Sequence, residues 1–265
     1  MIHKAAALLW QHWQAATRPA ATRIDELPAD CRPANRAEGY AIQAELAQLL
    51  KLSGQAVSGW KIAATSLAGQ KHIGVDGPLA GRLLANRVLN AGVTVALDGN
   101  LMRVAEAEFT FRFAEDLPKR AASYSRDEVM AAVASLHCAI EVPDSRYHDF
   151  LRVGAAQLIA DNACASWFLQ GAVTEVDWRK LDLSKHTLIA YLNGVRVTEG
   201  IGANALGDPC IALTWLVNEL NTYGEGVRAD QIVTTGTCIT PVPIAPGDHL
   251  RVDYDTLGEI EARFS

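Results

Sequence analysis

The sequence has 265 residues, of which 49% are hydrophobic and 20% are charged, and its formal net charge is −6. A chain of this length buries about three quarters of its extended surface, so it can form a core without disulfides or metals. The composition excludes a disordered chain, a collagen-like repeat and a coiled coil as the main architecture. Because the charge balance gives no broad basic surface, we expect neither nucleic acid nor a membrane as a partner. A local basic pocket for a small anionic substrate stays open.

The cysteines and the apolar segments predict a cytoplasmic protein. Five cysteines are widely spaced and form no CxxC motif: Cys31, Cys138, Cys164, Cys210 and Cys238. An odd number at such spacing argues against a disulfide framework or a thiolate zinc site and suits a reducing compartment. Polar residues at positions 11, 12 and 14 interrupt the N-terminal apolar run, which argues against a signal peptide. No stretch approaches the roughly 18 apolar residues of a membrane span.

The first 58 residues are predicted to form a helical cap. Apolar residues recur at helical spacing in residues 2–17 and 37–51, which predicts two amphipathic helices. Three prolines make residues 19–34 an irregular connector. We therefore divide the chain into a cap of residues 1–58 and a β-rich body of residues 59–265, which together form one structural unit.

The rest of the chain predicts strands interrupted by a few helices. Short β-rich runs lie at residues 60–65, 93–97, 105–113 and 138–142. A capping box at Ser125–Glu128 opens a predicted helix to about residue 136, and Asp208-Pro209 opens another to about residue 223. Asn193-Gly194 predicts one hairpin and the turn at 255–258 predicts a second. Because strands and helices do not alternate regularly, the predicted fold class is α+β rather than a doubly wound sheet.

The most informative segment is the acidic strand at residues 106–113, Glu-Ala-Glu-Phe-Thr-Phe-Arg-Phe. Side chains alternate between the faces of a strand, so Glu106 and Glu108 share one face, with Cβ atoms about 6.5–7 Å apart, while the phenylalanines face the core. Two such carboxylates raise each other's pKa unless a charge neutralises them, as a hard divalent cation does. Glu141 lies in a separate apolar run, where an ionised glutamate needs a partner or a metal. The pair alone also fits a solvated strand face, and the third glutamate favours a Mg²⁺ or Mn²⁺ site.

Lys61 is the only charged residue in the short run from Gly59 to Ala64. One interpretation is a lysine that buries its stem and carries its ammonium to the surface. The other is an ammonium near the cation that holds a substrate carboxylate or exchanges a proton. Burial would lower its pKa and nearby glutamates would raise it.

Several short motifs follow one another from about residue 40 to the C-terminus. They are Gly59–Ile62 with Thr65-Ser66, Gly74–Asp76, Glu106–Glu108, Glu141–Arg146, Ala160–Ala163, Thr235–Thr237 and Pro246–Asp248. In this order and spacing they resemble the 2-keto-4-pentenoate hydratase and 4-oxalocrotonate decarboxylase family of the fumarylacetoacetase-like superfamily. The resemblance implies a mixed β-roll of the fumarylacetoacetase C-terminal type with an N-terminal helical cap. It also implies a Mg²⁺ or Mn²⁺ ion held by Glu106, Glu108 and Glu141, with Lys61 as the active-site lysine.

The same resemblance implies small 2-oxo or 2-hydroxy-dienoic acids, products of aromatic meta-cleavage, as substrates. A cation chelated by the carboxylate and the 2-oxygen would stabilise charge that develops on that oxygen. Asp76 is retained from the family pattern and is predicted as a second catalytic residue. Predicted substrate-binding residues are Ser66, Gln70, Asp161 and Thr237; the alternatives are a solvent-facing Gln70, a self-satisfied turn at Asp161 and a plain glycine turn before Thr237.

One departure from the family pattern leaves the reaction open. The predicted turn Pro78–Gly81 carries Leu79 where hydratases have an acid and where decarboxylases tend to be aliphatic. We expect hydration of 2-hydroxypenta-2,4-dienoate to 4-hydroxy-2-oxopentanoate. The alternatives are decarboxylation of 4-oxalocrotonate (2-oxo-hex-enedioate) and a non-catalytic partner subunit. Apolar helix faces and six tryptophans predict a homo-oligomer, and the resemblance adds an association with another meta-cleavage enzyme.

Overall fold

The computed structural model describes residues 1–15 and 23–265, and these ranges contain six α-helices and fifteen strands. The helices are α1 Ile2–Ala15, α2 Arg36–Leu52, α3 Leu67–His72, α4 Arg126–Ala131, α5 Gly154–Ala160 and α6 Pro209–Tyr223. The first strands are β1 Val57–Ala63, β2 Leu79–Leu84, β3 Val88–Asn90, β4 Thr94–Val95, β5 Val104–Phe113, β6 Leu117–Pro118, β7 Val133–Val142 and β8 Trp167–Val173. The remaining strands are β9 Thr187–Leu192, β10 Val195–Ile201, β11 Gly226–Val227, β12 Ile232–Thr237, β13 Val242–Pro243, β14 His249–Asp253 and β15 Glu259–Phe264.

The two N-terminal helices form because each has one apolar face, and they pack on each other. Leu9 and Trp13 of α1 lie in one buried cluster with Ile42 and Leu46 of α2. The side chain of Asn35 caps α2 by accepting from the backbone N–H of Glu38 at 3.0 Å. Part of two predictions lies outside the described residues, namely the end of the first helix at residues 16–17 and the start of the connector at residues 19–22. Within the described ranges, no helix is long and apolar enough to cross a membrane.

The larger sheet has eight strands and curls back on itself. Its order is β2-β1-β12-β5-β7-β8-β3, with β13 paired to β5. The edge strands β2 and β3 are consecutive in the chain and only Ala85–Arg87 separates them, so the two edges are drawn together. The concave face encloses a small apolar cluster of Leu83, Ala139, Phe168 and Ile232. This curvature places side chains from several strands at one end of a narrow interior.

A second sheet packs against the convex face of the first and forms the main core. Its order is β10-β9-β14-β15-β4. The predicted hairpins are both present, as β9–β10 around Asn193-Gly194 and as β14–β15. The alternation predicted for β5 is also present, because Phe109, Phe111 and Phe113 are buried in the main core. The α+β class is therefore confirmed.

Two predicted elements are wrong in extent. The helix capped by Ser125 ends at Ala131, because residues from Val133 onward pair with β5 as strand β7. The predicted turn at Pro78–Gly81 is the start of β2, in which Leu79 pairs with Ala63 and is fully buried. In both segments, pairing with a neighbouring strand overrides the local turn or helix signal.

Candidate active site

Three glutamates meet on the concave face of the large sheet. Strands β5 and β7 are antiparallel neighbours, and Glu106 stands directly opposite Glu141. Glu108 lies two residues further along β5 and therefore on the same face. One carboxylate oxygen from each glutamate lies within 4.8 Å of one from each of the others. The predicted metal ligands are thus brought together although 33 residues separate Glu108 from Glu141.

The carboxylates have free oxygens that fit a cation. Oε2 of Glu108 accepts hydrogen bonds from the Thr234 hydroxyl and, at 3.0 Å, from the Gly236 backbone N–H. Oε1 of Glu108 and Oε2 of Glu141 are buried and have no hydrogen-bond partner among the described residues. Buried carboxylate oxygens without partners are costly. Because a hard divalent cation prefers such oxygen ligands, the residues present fit Mg²⁺ or Mn²⁺.

Gly236 and Tyr254 hold this face in shape. Gly236 has φ +92°, and a Cβ atom there would lie 2.4 Å from the Thr65 side chain, so only glycine lets the backbone approach Glu108. The Tyr254 hydroxyl lies 3.0 Å from the Glu108 carbonyl oxygen and 2.8 Å from the Ala139 carbonyl oxygen, bridging β5 and β7 from the core side. The sequence interpretation found the glycine but not Thr234 or Tyr254. Thr234 is opposite Thr110 on β5, so a register prediction would have been needed to place it.

Lys61 is buried beside the glutamates and does not reach the surface. Its side chain is 3% exposed, and Nζ lies 3.1 Å from Oε1 of Glu141 and donates to the Ala163 carbonyl oxygen at 3.1 Å. Burial lowers the pKa of Lys61, but the charges of Glu141, Glu106 and Glu108 outweigh that effect and raise it above its ordinary value. The ammonium is therefore charged at neutral pH, with a third N–H in addition to those facing Glu141 and Ala163.

An unusual backbone turn presents the Ala163 carbonyl to Lys61. Asn162, Ala163 and Cys164 are consecutive left-handed residues with φ of 63°, 50° and 60°. Left-handed conformations cost roughly 1–2 kcal/mol for each residue other than glycine. The Asn162 side chain holds the turn by exchanging two hydrogen bonds with the Arg82 backbone, at 2.6 and 2.8 Å. Gly81, opposite Lys61 in the sheet, makes room because a Cβ atom there would lie 2.3 Å from the Asn162 carbonyl oxygen.

The pKa values of the glutamates predict how the metal-free protein responds to pH. Burial, and then the charge of Glu141, raise the pKa of Glu106 from about 4.5 to about 7 against the opposing charge of Lys61. Burial likewise raises the pKa of Glu108 and Glu141. The folded state therefore binds more protons than the unfolded state between about pH 4.5 and 7, so these groups make stability fall as pH rises through that window.

We expect the melting temperature in EDTA to fall by roughly 5–10 °C from this cause between pH 5 and 7.5, since each pKa unit is worth about 1.4 kcal/mol. Calorimetry of the wild type and of Glu106→Gln isolates the effect, because the variant lacks the Glu106 contribution. Millimolar Mg²⁺ should restore the wild type at pH 7.5. If the melting temperatures of the wild type and of Glu106→Gln changed in parallel with pH in EDTA, the pH effect could not be assigned to Glu106.

Asp161, predicted to bind substrate, lies in a buried ion pair. Its Oδ1 accepts from Arg146 Nε at 2.5 Å, and its Oδ2 accepts from the Ser145 hydroxyl at 3.0 Å and the Arg146 backbone N–H at 2.9 Å. Both oxygens are therefore occupied by the protein. This placement favours a structural role, in which Asp161 anchors the chain just before the left-handed turn.

Replacing Asp161 with asparagine should lower stability rather than substrate affinity. The change leaves the buried Arg146 without its counter-charge, which costs about 3–5 kcal/mol and lowers the melting temperature by roughly 10 °C. Asp149→Asn is the matched control, because Asp149 pairs with Arg152 at the exposed surface, where the loss is at most about 1 kcal/mol. A raised KM with unchanged melting temperature would instead support the substrate-binding prediction.

Four predicted site residues remain, and each makes its own contacts in the structure: Thr237, Ser66, Gln70 and Asp76. Thr237 is opposite Glu108 in the sheet, and its hydroxyl donates to the Ile239 carbonyl at 2.9 Å. Ser66 caps α3, and Gln70 of that helix donates to the Ala64 carbonyl at 3.0 Å, so both side chains make local contacts. Asp76 is on the surface with its side chain 83% exposed, and it contacts Arg36 at 3.8 Å rather than Lys61 or a glutamate.

Comparisons with known proteins agree with this geometry. Residues 90–265 match the family described as fumarylacetoacetate (FAA) hydrolase C-terminal. The chain is 32% identical over 226 residues to a 2-keto-4-pentenoate hydratase of Burkholderia vietnamiensis (strain G4 / LMG 22486), covering 85% of each chain. It is 31% identical over 228 residues to a 4-oxalocrotonate decarboxylase of Pseudomonas sp. (strain CF600), covering 86% of this chain and 85% of that one.

The fold is similar to that of a solved 4-oxalocrotonate decarboxylase from Pseudomonas putida G7, crystallised with magnesium and adipate. The TM-score is 0.88 at 28% sequence identity, and the match covers 100% of this chain and 98% of the other.

Proposed function

Because the chain belongs to the fumarylacetoacetate hydrolase C-terminal family, we propose that it is a metal-dependent lyase of short 2-oxo and 2-hydroxy-dienoic acids. The reaction proposed first is the hydration of 2-hydroxypenta-2,4-dienoate to 4-hydroxy-2-oxopentanoate. The observation that carries the proposal is the buried cluster of three carboxylates and one ammonium. The hydratase and decarboxylase relatives support the same class of chemistry.

Glu106, Glu108 and Glu141 would hold the cation, through the oxygens that lack protein partners. Mg²⁺ or Mn²⁺, when bound, supplies a Lewis acid that polarises the 2-oxygen of a chelating 2-oxo acid. The protein contributes orientation. Thr234 and Gly236 fix the Glu108 carboxylate by donating to its Oε2.

Lys61 is proposed to anchor the substrate carboxylate or to transfer the proton. Its Nζ is held by Glu141 and Ala163 and has a further N–H for a substrate oxygen. Because no other group among the described residues lowers the pKa of Glu106, Lys61 is the cation on which charge balance at the site depends. A proton lost from Nζ would be returned from solvent in each turnover.

The shortage of cations favours a monocarboxylate substrate. A dienoate with one carboxylate needs only the cation and Lys61, whereas a six-carbon dicarboxylate brings a second charge to the distal end. Among the described residues, Lys61 is the one cation within ion-pair distance of a glutamate of the cluster. This is the specific reason for placing hydration first.

Decarboxylation of 4-oxalocrotonate is the second candidate. The buried Leu79, in place of an acid, offers no proton donor near the start of β2. The solved decarboxylase to which the fold is similar was crystallised with adipate, a six-carbon dicarboxylate.

Asp76 stays a predicted catalytic residue of the hydratase, although its exposed position would require α3 and the following turn to move toward the glutamates.

Incubation of the protein and Mg²⁺ with each dienoate separates these candidates. A hydratase consumes 2-hydroxypenta-2,4-dienoate, seen as loss of dienol absorbance, and forms 4-hydroxy-2-oxopentanoate without releasing carbon dioxide. Carbon dioxide from 4-oxalocrotonate with no water added to the pentadienoate would assign the decarboxylase. No turnover of either substrate would favour the third possibility, a non-catalytic partner subunit.

The proposal also covers the cellular compartment of the enzyme and its association with other chains. Five free, buried cysteines suit a cytoplasmic enzyme in a reducing compartment. Val195, Val197 and Ile201 are exposed apolar residues of β10, an edge strand of the second sheet, and they support self-association or association with another meta-cleavage enzyme. Light scattering of the purified protein tests the homo-oligomer, and a single protomer mass would remove it.

A further inference from the structure

A cavity of about 290 Å³ lies apart from the glutamates, where α1 approaches β8 and the segment that joins β2 to β3. Its walls include the indoles Trp10, Trp13 and Trp167, the guanidinium of Arg87 and the amides of Gln14 and Gln55. The volume is at the lower end of the range for small-molecule sites. Neither Lys61 nor any of the three glutamates lines it.

Arg87 is a buried cation whose counter-charge is missing. It is 9% exposed, and its guanidinium lies 4.1 Å from the centroid of the Trp167 ring, which fixes its orientation. Within residues 1–15 and 23–265, no carboxylate pairs with this guanidinium and no carbonyl accepts a hydrogen bond from it. Burial and the nearby Arg146 lower the pKa of Arg87 to about 10, against a smaller opposing effect of Asp144.

Asp144 is the acid whose charge acts on Arg87, and both Asp144 and the partner of the neighbouring Arg146 are already paired with other cations. Asp144 pairs with Arg23 at 2.7 Å, and Asp161 pairs with Arg146 at 2.5 Å. These five side chains include three guanidinium ions and two carboxylates. Each carboxylate pairs with one guanidinium, so Arg87 has no carboxylate partner among them. A buried charge without a partner is costly, so the cavity is electrostatically suited to an anion.

Trp13 offers a second unused donor. It is 4% exposed, its Nε1 has no hydrogen-bond partner among the described residues, and its ring is covered by Arg146 at 4.0 Å. Buried indole N–H groups normally find an acceptor. A ligand in this cavity can stack its own ring against indole, and it reaches the buried Nε1 only if the Trp13 ring shifts on binding.

We propose that this cavity is a binding site for a small planar aromatic carboxylate. The carboxylate is held by Arg87, whose planar fork matches its two oxygens. The ring lies among the three indoles, and the Trp13 N–H donates to an oxygen of the ligand. The site is separate from the glutamate cluster and does not depend on the proposed function.

Calorimetric titration with benzoate in EDTA tests the site, with tryptophan fluorescence as a second readout. We expect saturable binding at about millimolar concentration in the wild type and equally in Lys61→Met. Arg87→Met should weaken it at least ~10-fold, and benzamide should bind at least ~10-fold more weakly than benzoate, because each change removes one charge of the pair. Arg179→Met is the matched control, since Arg179 also covers an indole, that of Trp178, at 4.2 Å; it should bind as the wild type does.

Three outcomes would overturn the proposal: no saturable binding, undiminished binding by Arg87→Met, or loss of binding in Lys61→Met, which would place benzoate at the glutamate cluster. Trp13→Phe keeps the ring and removes the N–H, so it should fold normally and bind benzoate a few-fold more weakly. If Arg87→Met does not fold, this variant decides, and wild-type affinity in it overturns the site.

Discussion

Replacing Glu108 with glutamine is expected to abolish metal binding and lower turnover by about 10³-fold or more at fixed Mg²⁺. The physical reason is the way the carboxylate is held. The Thr234 hydroxyl and the Gly236 N–H both donate to Oε2, so the amide oxygen of glutamine takes that place. The amide NH₂ then occupies the position of Oε1, which has no partner among the described residues, and presents hydrogens to the cation.

Titration of Mg²⁺ by calorimetry, together with initial rates at saturating substrate, measures both effects. Glu175→Gln is the matched control, because it makes the same chemical change at an exposed glutamate. Unchanged Mg²⁺ affinity and turnover in Glu108→Gln would show that the three glutamates are not the metal centre. The variant should also be more stable than the wild type in EDTA, since it removes a buried carboxylate whose pKa burial raises.

Part of the convergence of the glutamates could be predicted, because side chains alternate between the two faces of a strand. A period of two along residues 106–113 places Glu106 and Glu108 on one face and the phenylalanines on the other. The hydrophobic pattern around Glu141 marked it as a buried acid that needed a partner. The register that sets Glu141 directly opposite Glu106 depends on strand pairing across the chain, which one sequence does not specify locally.

The backbone turn and the ion pair next to the site could not be predicted from local sequence patterns. The sequence of residues 162–164 does not predict three left-handed residues in succession, because only one of them is an asparagine, a residue type that favours this conformation. The turn exists because the Arg82 backbone and Gly81 on a distant strand accommodate it. Asp161 stays a predicted substrate-binding residue, and its buried ion pair with Arg146 likewise depends on packing that the local sequence does not specify.

Asp76 illustrates the limit of motif reasoning. The resemblance at Gly74–Asp76 predicts a catalytic acid, and in the structure the Asp76 side chain is exposed and faces Arg36. The ordering of β2 after it also explains why Leu79 is in the core rather than in a turn. The motif therefore does not specify the orientation of these side chains, which depends on the strands that flank it.

Replacing Lys61 with methionine is expected to separate metal binding from turnover. The change keeps the length of the side chain and removes the charge that lies 3.1 Å from Glu141. Without that charge the three carboxylates should bind Mg²⁺ at least as tightly as in the wild type, measured at pH 8 so that protons do not compete. Turnover should fall by about 10²–10⁴-fold, the usual contribution of a group that transfers a proton.

The melting temperature provides the third measurement, because metal-free Lys61→Met has three buried carboxylates and no cation among the described groups that shift the pKa of Glu106. Mg²⁺ should therefore raise its melting temperature by more than it raises that of the wild type. Lys71→Met, at an exposed lysine of α3, is the matched control and should leave all three quantities unchanged. If Mg²⁺ affinity and turnover fall together in Lys61→Met, the lysine holds the metal centre in shape. If neither changes, the ammonium takes no part in the reaction, and the proton must come from another residue, with Asp76 the first to test.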